Sequence, residues 1–316
     1  TIEVSDDFGS GNESRLFRSA YFALDVTVPD RPRLLWEFTH PSLGFTTGYP
    51  CIVRVEAQGG FTRPDDDHWF VIFGSGPTDY RGNSTQPASL FVVNLKTGEL
   101  VRIMGGEGPP GFTGSPVSVD ANLDFNTDVI YAGESFLAGD EWQGCVRRLS
   151  TKVCSGAACT VNDPWPYSTD PAAWNASLLF STPHPVTAAP GVSLDGNNNL
   201  WVFIGTGRYF DFIDRARESR AHLFAGLKDP CYRGDCRDEV TLDQLYDASP
   251  VTVYRDGTIS GTTITTFNDL EHEIEGGPGW YLTLSPNGER VLGKPGIIGG
   301  TLSFTAYTPD PDPCGI

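Results

Sequence analysis

The sequence is poor in lysine and methionine and has no long apolar run. Its 316 residues include one Met and four Lys, whereas Gly (36) and Pro (24) are abundant. Because strong helix formers are scarce and turn formers are frequent, the composition favours short strands joined by turns over helices. The longest apolar runs, at 69–73 and 200–204, are far too short for a helix that spans a bilayer. We therefore expect no membrane insertion.

Basic charge is also scarce. The net charge is −18, and Asp and Glu are spread along the chain rather than gathered in one tail. Such a surface repels nucleic acid and anionic lipid, and no basic stripe offsets it. The composition thus excludes a nucleic-acid partner and is compatible with divalent cations. The chain starts at Thr1 without a signal peptide, so we expect a mature or internal piece from which any export signal has been removed.

Seven cysteines indicate an oxidising compartment. Neither closely spaced pair has the spacing of a zinc knuckle or a thioredoxin site. The spacing predicts two short-loop disulfides, Cys154 with Cys159 and Cys231 with Cys236. Three cysteines are left to share one further bridge and one odd thiol: Cys51, Cys145 and Cys314. The alternative is a cytosolic protein in which all seven are reduced.

Four segments of the chain repeat one plan. Each contains a Pro, a short strand, a turn and a second apolar strand that closes on small residues. A Gly at the close of the second strand lets neighbouring backbones approach, as is needed near a propeller axis. The paired strands are predicted at 49–55 with 69–76, at 115–119 with 128–133, at 189–194 with 201–207, and at 294–298 with 301–307.

Recurrence of the whole motif predicts an all-β fold, and a β-propeller rather than a sandwich. Outer strands are clearest at 89–95 and 99–104, and a partial unit leads the series at 20–27 and 34–39. These units fall short of a seven-bladed ring, so we expect a modified propeller that this chain alone does not close. Loop insertions should decorate it, with short helices only at 210–220 and 241–247. We expect one propeller domain over 1–316.

One nine-residue segment has the donor spacing of a cation-binding loop. Oxygen side chains stand at its first, third, fifth and ninth positions, and the seventh residue offers a backbone carbonyl. This is the spacing of the first part of an EF-hand loop. Hard oxygen donors in a flexible loop select Ca²⁺ over Zn²⁺ or Mg²⁺. The predicted ligands are Asp120, Asn122, Asp124, Asn126 and Asp128.

Two positions of this segment differ from an EF-hand. Phe125 replaces the Gly that makes the sharp turn, and Tyr131 replaces the bidentate Glu. The flanks read as strands rather than helices. A polar hairpin turn without a cation is therefore the alternative, and the related segment 195–199 is best explained as such a turn.

A second motif lies inside a predicted disulfide loop. Arg233, Gly234 and Asp235 stand between Cys231 and Cys236, so the disulfide would present them as a tight exposed loop. Such a tripeptide would engage integrins. The alternative is a chance triplet in a chain rich in these three residue types.

Catalytic signatures are missing from the sequence. There is no G-x-S-x-G elbow, P-loop or H-E-x-x-H motif, and the five His are scattered. We therefore expect no enzyme. The runner-up hypothesis is a quinoprotein-like dehydrogenase, because residues 93–99 are similar to the turn motif of those propellers. That motif occurs once here, whereas such an enzyme should repeat it in most blades. A purely structural subunit of an extracellular filament is the third hypothesis.

An ordered series of short motifs resembles the C-terminal propeller of PilC/PilY-type type IV pilus adhesins. The series covers nearly the whole chain, with matches at 21–27, 35–38, 71–76, 119–133, 203–208, 279–282 and 288–291. The sequence departs from the family pattern at two places. It has Gly133-Glu134 after Tyr131, where the family usually has Gly-Asp, and it lacks the usual aromatic residue in the next strand, around Cys145.

The resemblance implies a location and a role. It implies a calcium-binding domain of a larger adhesin at the pilus tip, outside the bacterial cell. It further implies functions in pilus biogenesis, retraction control and attachment to host or abiotic surfaces. Expected partners are minor pilins and an N-terminal region that family members carry and this sequence lacks. Carried over by position, Asn126 would bind calcium through its carbonyl and the other four residues through side chains.

Overall fold

The fold is almost entirely β-structure, as predicted. The computed structural model describes residues 2–7, 12–17, 19–56, 67–153, 166–215, 220–234 and 236–310, of which 2–7, 12–17 and 67 are described for the backbone alone. Within these residues no helix is long and apolar enough to cross a membrane.

The described strands follow one another along the chain with few interruptions. In chain order they are β1 (Ile2–Asp7), β2 (Asn12–Phe17), β3 (Tyr21–Asp25), β4 (Arg33–Phe38), β5 (Cys51–Glu56), β6 (Asp67–Gly74), β7 (Pro87–Asn94), β8 (Leu100–Thr113), β9 (Val117–Val119), β10 (Val129–Ala138), β11 (Glu141–Ser150), β12 (Asn175–Thr182), β13 (Gly191–Leu194), β14 (Leu200–Gly205), β15 (Leu223–Lys228), β16 (Tyr246–Asp247), β17 (Thr252–Val253), β18 (Ile259–Ser260), β19 (Gly279–Thr283), β20 (Arg290–Val291), β21 (Gly296–Ile298), β22 (Thr301–Ser303) and β23 (Ala306–Tyr307).

Two larger sheets contain most of these strands. One has the order β12-β11-β10-β8-β7-β6-β5, with β9 paired to β10, and the other has the order β13-β14-β15-β19-β16. In the second sheet β16 runs parallel to β19 and the other neighbours are antiparallel. The remaining strands form two-stranded sheets: β1-β2, β3-β4, β17-β18, β20-β23 and β21-β22.

The predicted repeat is present in the structure. Each of its four strand pairs forms an antiparallel hairpin: β5 with β6, β9 with β10, β13 with β14, and β21 with β22. The leading partial unit is the antiparallel pair of β3 and β4. The outer strands β7 and β8 are joined through the expected turn, where Gly98 has φ of 75°. The repeat was readable because each hairpin is local in sequence.

Glycines at the ends of the second strands allow successive units to pack closely. In three units this Gly lies against a side chain that stands three or four residues before the Pro of the next unit. A Cβ atom added to any of these glycines would lie 2.5 Å or less from that side chain, closer than real Cβ atoms approach. The pairs are Gly74 with Thr113, Gly133 with Val186, and Gly205 with Val291.

Backbone hydrogen bonds reinforce two of these contacts. Thr113 N–H donates to Ser75 O at 2.8 Å, and Val291 N–H donates to Thr206 O at 2.9 Å, so in both places the chain that enters a unit is hydrogen-bonded to the unit before it. Within the second unit, Gly114 N–H donates to Gly133 O at 2.8 Å. Buried apolar side chains fill the space between the sheets around these contacts.

The helices differ in part from the prediction. Among the described residues of the stretch expected at 210–220, the structure has the 3-10 turn Phe212–Arg215. The stretch at 241–247 has the 3-10 turn Leu242–Gln244 followed by β16, and a third turn spans Pro171–Ala173. The longest described helix, α1 (Phe267–Gly276), was not predicted. Its apolar signal is weak, because Leu270 is the only buried residue in ten. Thr266 caps its first turn by accepting from Asp269 N–H.

We predict that Gly133→Val lowers the free energy of unfolding by about 3 kcal/mol, because the added side chain overlaps the buried Val186. Urea denaturation followed by Trp fluorescence measures the change. Gly196→Ala is the matched control, since no atom lies within 4 Å of an added Cβ there. Its effect should stay within about 0.5 kcal/mol. Equal effects of the two substitutions would contradict the role assigned to the close approach.

Candidate functional site

The predicted calcium ligands lie on the loop that joins β9 to β10, called the acidic loop below (residues 120–128). Its polar side chains turn inward onto the loop's own backbone. Asp120 accepts from Asp124 N–H at 3.1 Å and from Phe125 N–H at 2.8 Å. Asn122 Oδ1 accepts from Asp124 N–H at 3.2 Å, and its amide nitrogen donates to Asp124 Oδ2 at 3.0 Å. Three of the five predicted ligands thus converge on one side of the loop.

Two apolar residues of the acidic loop have left-handed backbone conformations. Leu123 has φ of 60° and Phe125 has φ of 68°, a region that bulky residues rarely adopt. The side chains of Leu123 and Phe125 point away from the loop interior and are 81% and 73% exposed. Phe125 therefore provides, at a steric cost, the turn that Gly makes in an EF-hand.

Asn126 has a different role from the inward-facing ligands. Its side-chain oxygen accepts from Glu56 N–H at 2.7 Å, and Thr127 N–H donates to Arg54 O at 2.8 Å. These bonds anchor the loop to β5 of the preceding unit. The side-chain oxygen of Asn126 is engaged there, and the ligand role of its backbone carbonyl stays a prediction.

Asp128 is fully buried and already has a cationic partner. The Lys152 ammonium forms an ion pair with Asp128 Oδ1. The carboxylate also accepts from Ala121 N–H at 2.6 Å and from Tyr167 O–H at 2.7 Å. Lys152 and Tyr167 are distant in sequence and were not predicted. Lys152 compensates one of the three carboxylate charges of the loop, and neither Asp120 nor Asp124 forms a salt bridge with another of the described residues.

The hydrogen bonds of the acidic loop shift the pKa values of two of its groups. Partial burial raises the pKa of Asp124, but hydrogen bonds from Asn126 N–H, Tyr167 and Asn122 outweigh it, so the net pKa is lowered. Burial, followed by the contacts with Asp128 and Asp124, raises the pKa of Tyr167. At neutral pH Asp124 is a carboxylate and Tyr167 is a neutral donor, and this is the protonation state in which the acid can bind a cation.

The corresponding loop of the next unit, between β13 and β14, is a tight turn. Asp195 accepts from Asn197 N–H at 2.9 Å and from Asn199 N–H at 2.8 Å, and Asn198 has φ of 59°. This loop has one carboxylate, whereas the acidic loop has three. The prediction of a hairpin turn at 195–199 agrees with this geometry.

Metal-ligating side chains also converge in one other place. Within the residues that the structure describes, the only three His, Cys, Asp or Glu ligand atoms within 4.8 Å of one another belong to Cys231, Cys236 and Asp238. Cys231 and Cys236 form the predicted disulfide, so their sulfurs are not available as thiolate ligands. The three carboxylates of the acidic loop are not grouped this closely.

Cys51 and Cys145 are two of the three cysteines that were expected to share one further bridge. Both are free thiols. Burial raises the pKa of Cys51 to about 12 and also raises the pKa of Cys145, whose thiol donates to Glu134 at 3.3 Å. The two residues lie on separate strands, β5 and β11, and the number of cysteines in a sequence does not show which strands are neighbours. The predicted bridge between Cys154 and Cys159 lies outside the described residues, as does Cys314.

The motif inside the disulfide loop is less open than the sequence indicated. Gly234 is buried, and its carbonyl accepts from Ser150 Oγ at 3.2 Å. Arg233 is exposed and donates to the carbonyl of Asn198 at 3.2 Å. Asp235 lies outside the described residues, so integrin recognition stays a prediction.

Comparison with known proteins identifies the fold and the family. The model of the PilY1 beta-propeller domain family matches residues 15–245, which is most of the chain. The chain belongs to this family. It is 28% identical to the type IV pilus biogenesis factor PilY1 of Pseudomonas aeruginosa (strain UCBPP-PA14), over 93% of this chain and 27% of that protein. It is also 28% identical to a PilY1 homolog of Xylella fastidiosa (strain Temecula1), over 92% of this chain and 21% of that protein.

A solved structure shows the same fold. The crystal structure of the Pseudomonas aeruginosa PilY1 C-terminal domain superposes with a TM-score of 0.66 at 21% identity, covering 98% of this chain and 67% of that one. The predicted β-propeller class is confirmed. The chain spans about a quarter of the length of the curated relatives it matches.

A buried ionic cluster in this propeller was missed at the sequence level. Asp229 accepts from Arg148, from the hydroxyl of Tyr131 and, at 2.7 Å, from Cys231 N–H. Arg148 and Asp229 are almost completely buried, and Arg148 also donates to Asp238 O at 3.0 Å. The cluster joins β10 and β11 of one unit to the disulfide loop of the next. A single Asp in a loop gives no sequence signal of such a partner.

We predict that Asp229→Ala lowers the free energy of unfolding by about 3–5 kcal/mol, since it leaves the Arg148 charge buried without a counterion. Chemical denaturation measures this loss. Asp256→Ala, at an exposed turn where the carboxylate bonds only Thr258, is the control and should cost about 1 kcal/mol or less. A loss at Asp229 no larger than at Asp256 would contradict a structural role for the cluster.

Proposed function

We propose that this propeller is a non-enzymatic domain of a type IV pilus biogenesis factor and acts outside the cell, at the pilus tip. The observation that carries the proposal is the family match over residues 15–245, supported by relatives named as type IV pilus biogenesis factors. In this role the domain contacts minor pilins and the N-terminal region of its own protein, and contributes to retraction control and surface attachment. The net charge of −18 supports a protein partner rather than nucleic acid or an anionic membrane.

The dehydrogenase hypothesis has less support. The motif at 93–99 forms the end of β7 and its turn, where Asn94 Oδ1 accepts from the N–H groups of Lys96 and Thr97. This is local turn geometry, and the relatives named above are a type IV pilus biogenesis factor and its homolog.

The domain also binds calcium through the acidic loop in this proposal. The side chains of Asp120, Asn122, Asp124 and Asp128 and the carbonyl of Asn126 would hold the ion. Support comes from the all-oxygen donor set, from the inward direction of the first three side chains and from the two left-handed residues that curl the loop. Lys152 reduces the negative charge at Asp128, so we expect affinity at the weak end of extracellular sites, about 10⁻⁴ to 10⁻³ M.

We predict that about 10 mM calcium raises the melting temperature by a few degrees relative to EDTA, because an ion at roughly ten to a hundred times its Kd stabilises the folded state by about 1.5–2.7 kcal/mol. Asp124→Ala should abolish this shift. Differential scanning calorimetry measures both.

Asp195→Asn is the matched control for the calcium experiment. It removes a carboxylate from the equivalent loop of the next unit, where the hydrogen bonds are local. This variant should melt at a lower temperature and keep the full calcium shift. An unchanged melting temperature of the parent protein in calcium and EDTA would rule out the site while leaving the pilus role untouched.

The pilus role has its own test in the bacterium that encodes the chain. Gly133→Val, which should disrupt packing between units, is expected to reduce surface pilin by several fold, because an unfolded propeller cannot support assembly. Sheared surface pilin is measured by immunoblot, with Gly196→Ala as the control. Normal piliation and twitching motility when the propeller is absent from the bacterium would contradict the proposal.

A further inference from the structure

The second sheet has an aromatic face that is only partly covered. The rings of Trp201 and Phe203 on β14 are nearly parallel and stacked, with centroids 5.9 Å apart and an interplanar angle of 5°. Trp280 on β19 continues the row at 6.5 Å from Phe203. Gly226 on β15 lies between these two rings, and a Cβ there would meet both at about 3 Å. The missing side chain lets the rings form one surface.

A groove of about 430 Å³ opens over this face. Helix α1 forms one wall and the hairpin of β21 and β22 forms the other. The groove, called the aromatic groove below, is lined chiefly by Trp201, Phe203, Phe267, Leu270, Trp280 and Leu302. Its size falls in the range of ligand and peptide sites. Phe267 is 39% exposed at its rim.

The rim of the aromatic groove is acidic. Asp195, Glu271 and Glu275 line it, and none of its lining residues is Lys or Arg. Glu271 and Glu275 stand one turn apart on α1, a like-charge spacing that destabilises a helix. The last turn of α1 contains no basic residue, so its negative dipole end adds to the carboxylates.

One cation lies beneath the rim. Lys228 packs over Trp201 at 5.1 Å and donates to the backbone carbonyls of Ile274 and Glu275. It thus caps the end of the helix and does not pair with the rim carboxylates of Glu271 and Glu275 in these bonds. The rim keeps an excess of negative charge above an apolar floor.

We propose that the aromatic groove docks a segment of a partner protein that presents Lys or Arg beside large apolar side chains. Apolar side chains would fill the floor, and the cations would meet Glu271 and Glu275. Charge complementarity favours this occupant. A second copy of the chain would bring another net charge of −18, and a nucleic acid would bring phosphates to an acidic rim. The inference goes beyond the proposed pilus role and does not depend on the acidic loop.

Two matched peptides test the proposal. The probes are the acetylated and amidated pentapeptides Lys-Trp-Lys-Leu-Phe and Glu-Trp-Glu-Leu-Phe, added to ¹⁵N-labelled protein. The indole N–H signals of Trp201 and Trp280, assigned through single Trp→Phe variants, report on the groove. We expect saturable shifts with the basic peptide and binding of the acidic peptide at least about tenfold weaker.

Variants of α1 identify the charges responsible. Glu271→Gln with Glu275→Gln should weaken the basic peptide about fivefold. Glu273→Gln, which removes the same charge from the same helix at a position that does not line the groove, should change affinity less than about twofold. All three positions are exposed, so the variants should fold, which their melting temperatures verify.

Each of three results with the peptides would overturn the inference. They are equal binding of the two peptides, an effect of Glu273→Gln equal to that of the Glu271→Gln and Glu275→Gln double variant, and no saturable shift at either indole. A shift of the same two signals by methyl β-glucopyranoside alone would assign the groove to a saccharide and would also overturn it. Loss of piliation in the bacterium bears on the pilus role alone, so the two proposals can fail separately.

Discussion

The close approach between successive units depends on the absence of a side chain at three glycines. At Gly74, Gly133 and Gly205 the end of one hairpin meets the chain that enters the next unit, and a Cβ would not fit. Backbone hydrogen bonds cross between the units beside Gly74 and Gly205. Because an interior this dense relaxes only slightly, these contacts determine where each following hairpin begins. The positions of the loops between the strands, including the acidic loop, follow from where the hairpins begin.

The acidic loop is held in place by contacts with several parts of the fold. Its ends are held by β9 and β10, and Asn126 ties it to β5 of the unit before. Lys152 and Tyr167 reach Asp128 from the chain that follows β11. Three inward-facing oxygen side chains, those of Asp120, Asn122 and Asp124, lie on a loop that is braced at both ends, and the proposed cation site rests on this geometry. The two left-handed apolar residues are the cost of that arrangement.

Charged residues have different roles in the interior of the protein and at its surface. Several buried ions are paired, as Arg148 and Asp229 are. Carboxylates of the acidic loop and of the rim of the aromatic groove are the charges on which the two binding proposals rest. An acidic rim around an apolar floor is the arrangement that would receive a basic partner.

The sequence by itself determined the four hairpins that begin with a Pro, the strand pair that precedes them and the spacing of the loop donors. Each of these signals lies within a few tens of residues: a Pro before a strand, a Gly after one, or oxygen side chains at alternate positions. The disulfide of Cys231 and Cys236 was readable for the same reason. Tertiary structure decided the partners of these local elements. Asp229 meets Arg148 across 81 positions of the chain, and Lys152 selects Asp128 among three acids.

Helix α1 and the aromatic groove also depend on tertiary contacts rather than on local sequence. One buried leucine in ten residues is too weak a pattern to predict a helix, and packing against the sheet supplies what the sequence pattern does not. The groove combines residues from β14, β19, α1 and the last hairpin. A sequence records which side chains are present, but long-range pairing of strands determines which of them share a surface, because the free energy of burial is gained only once the sheets have assembled.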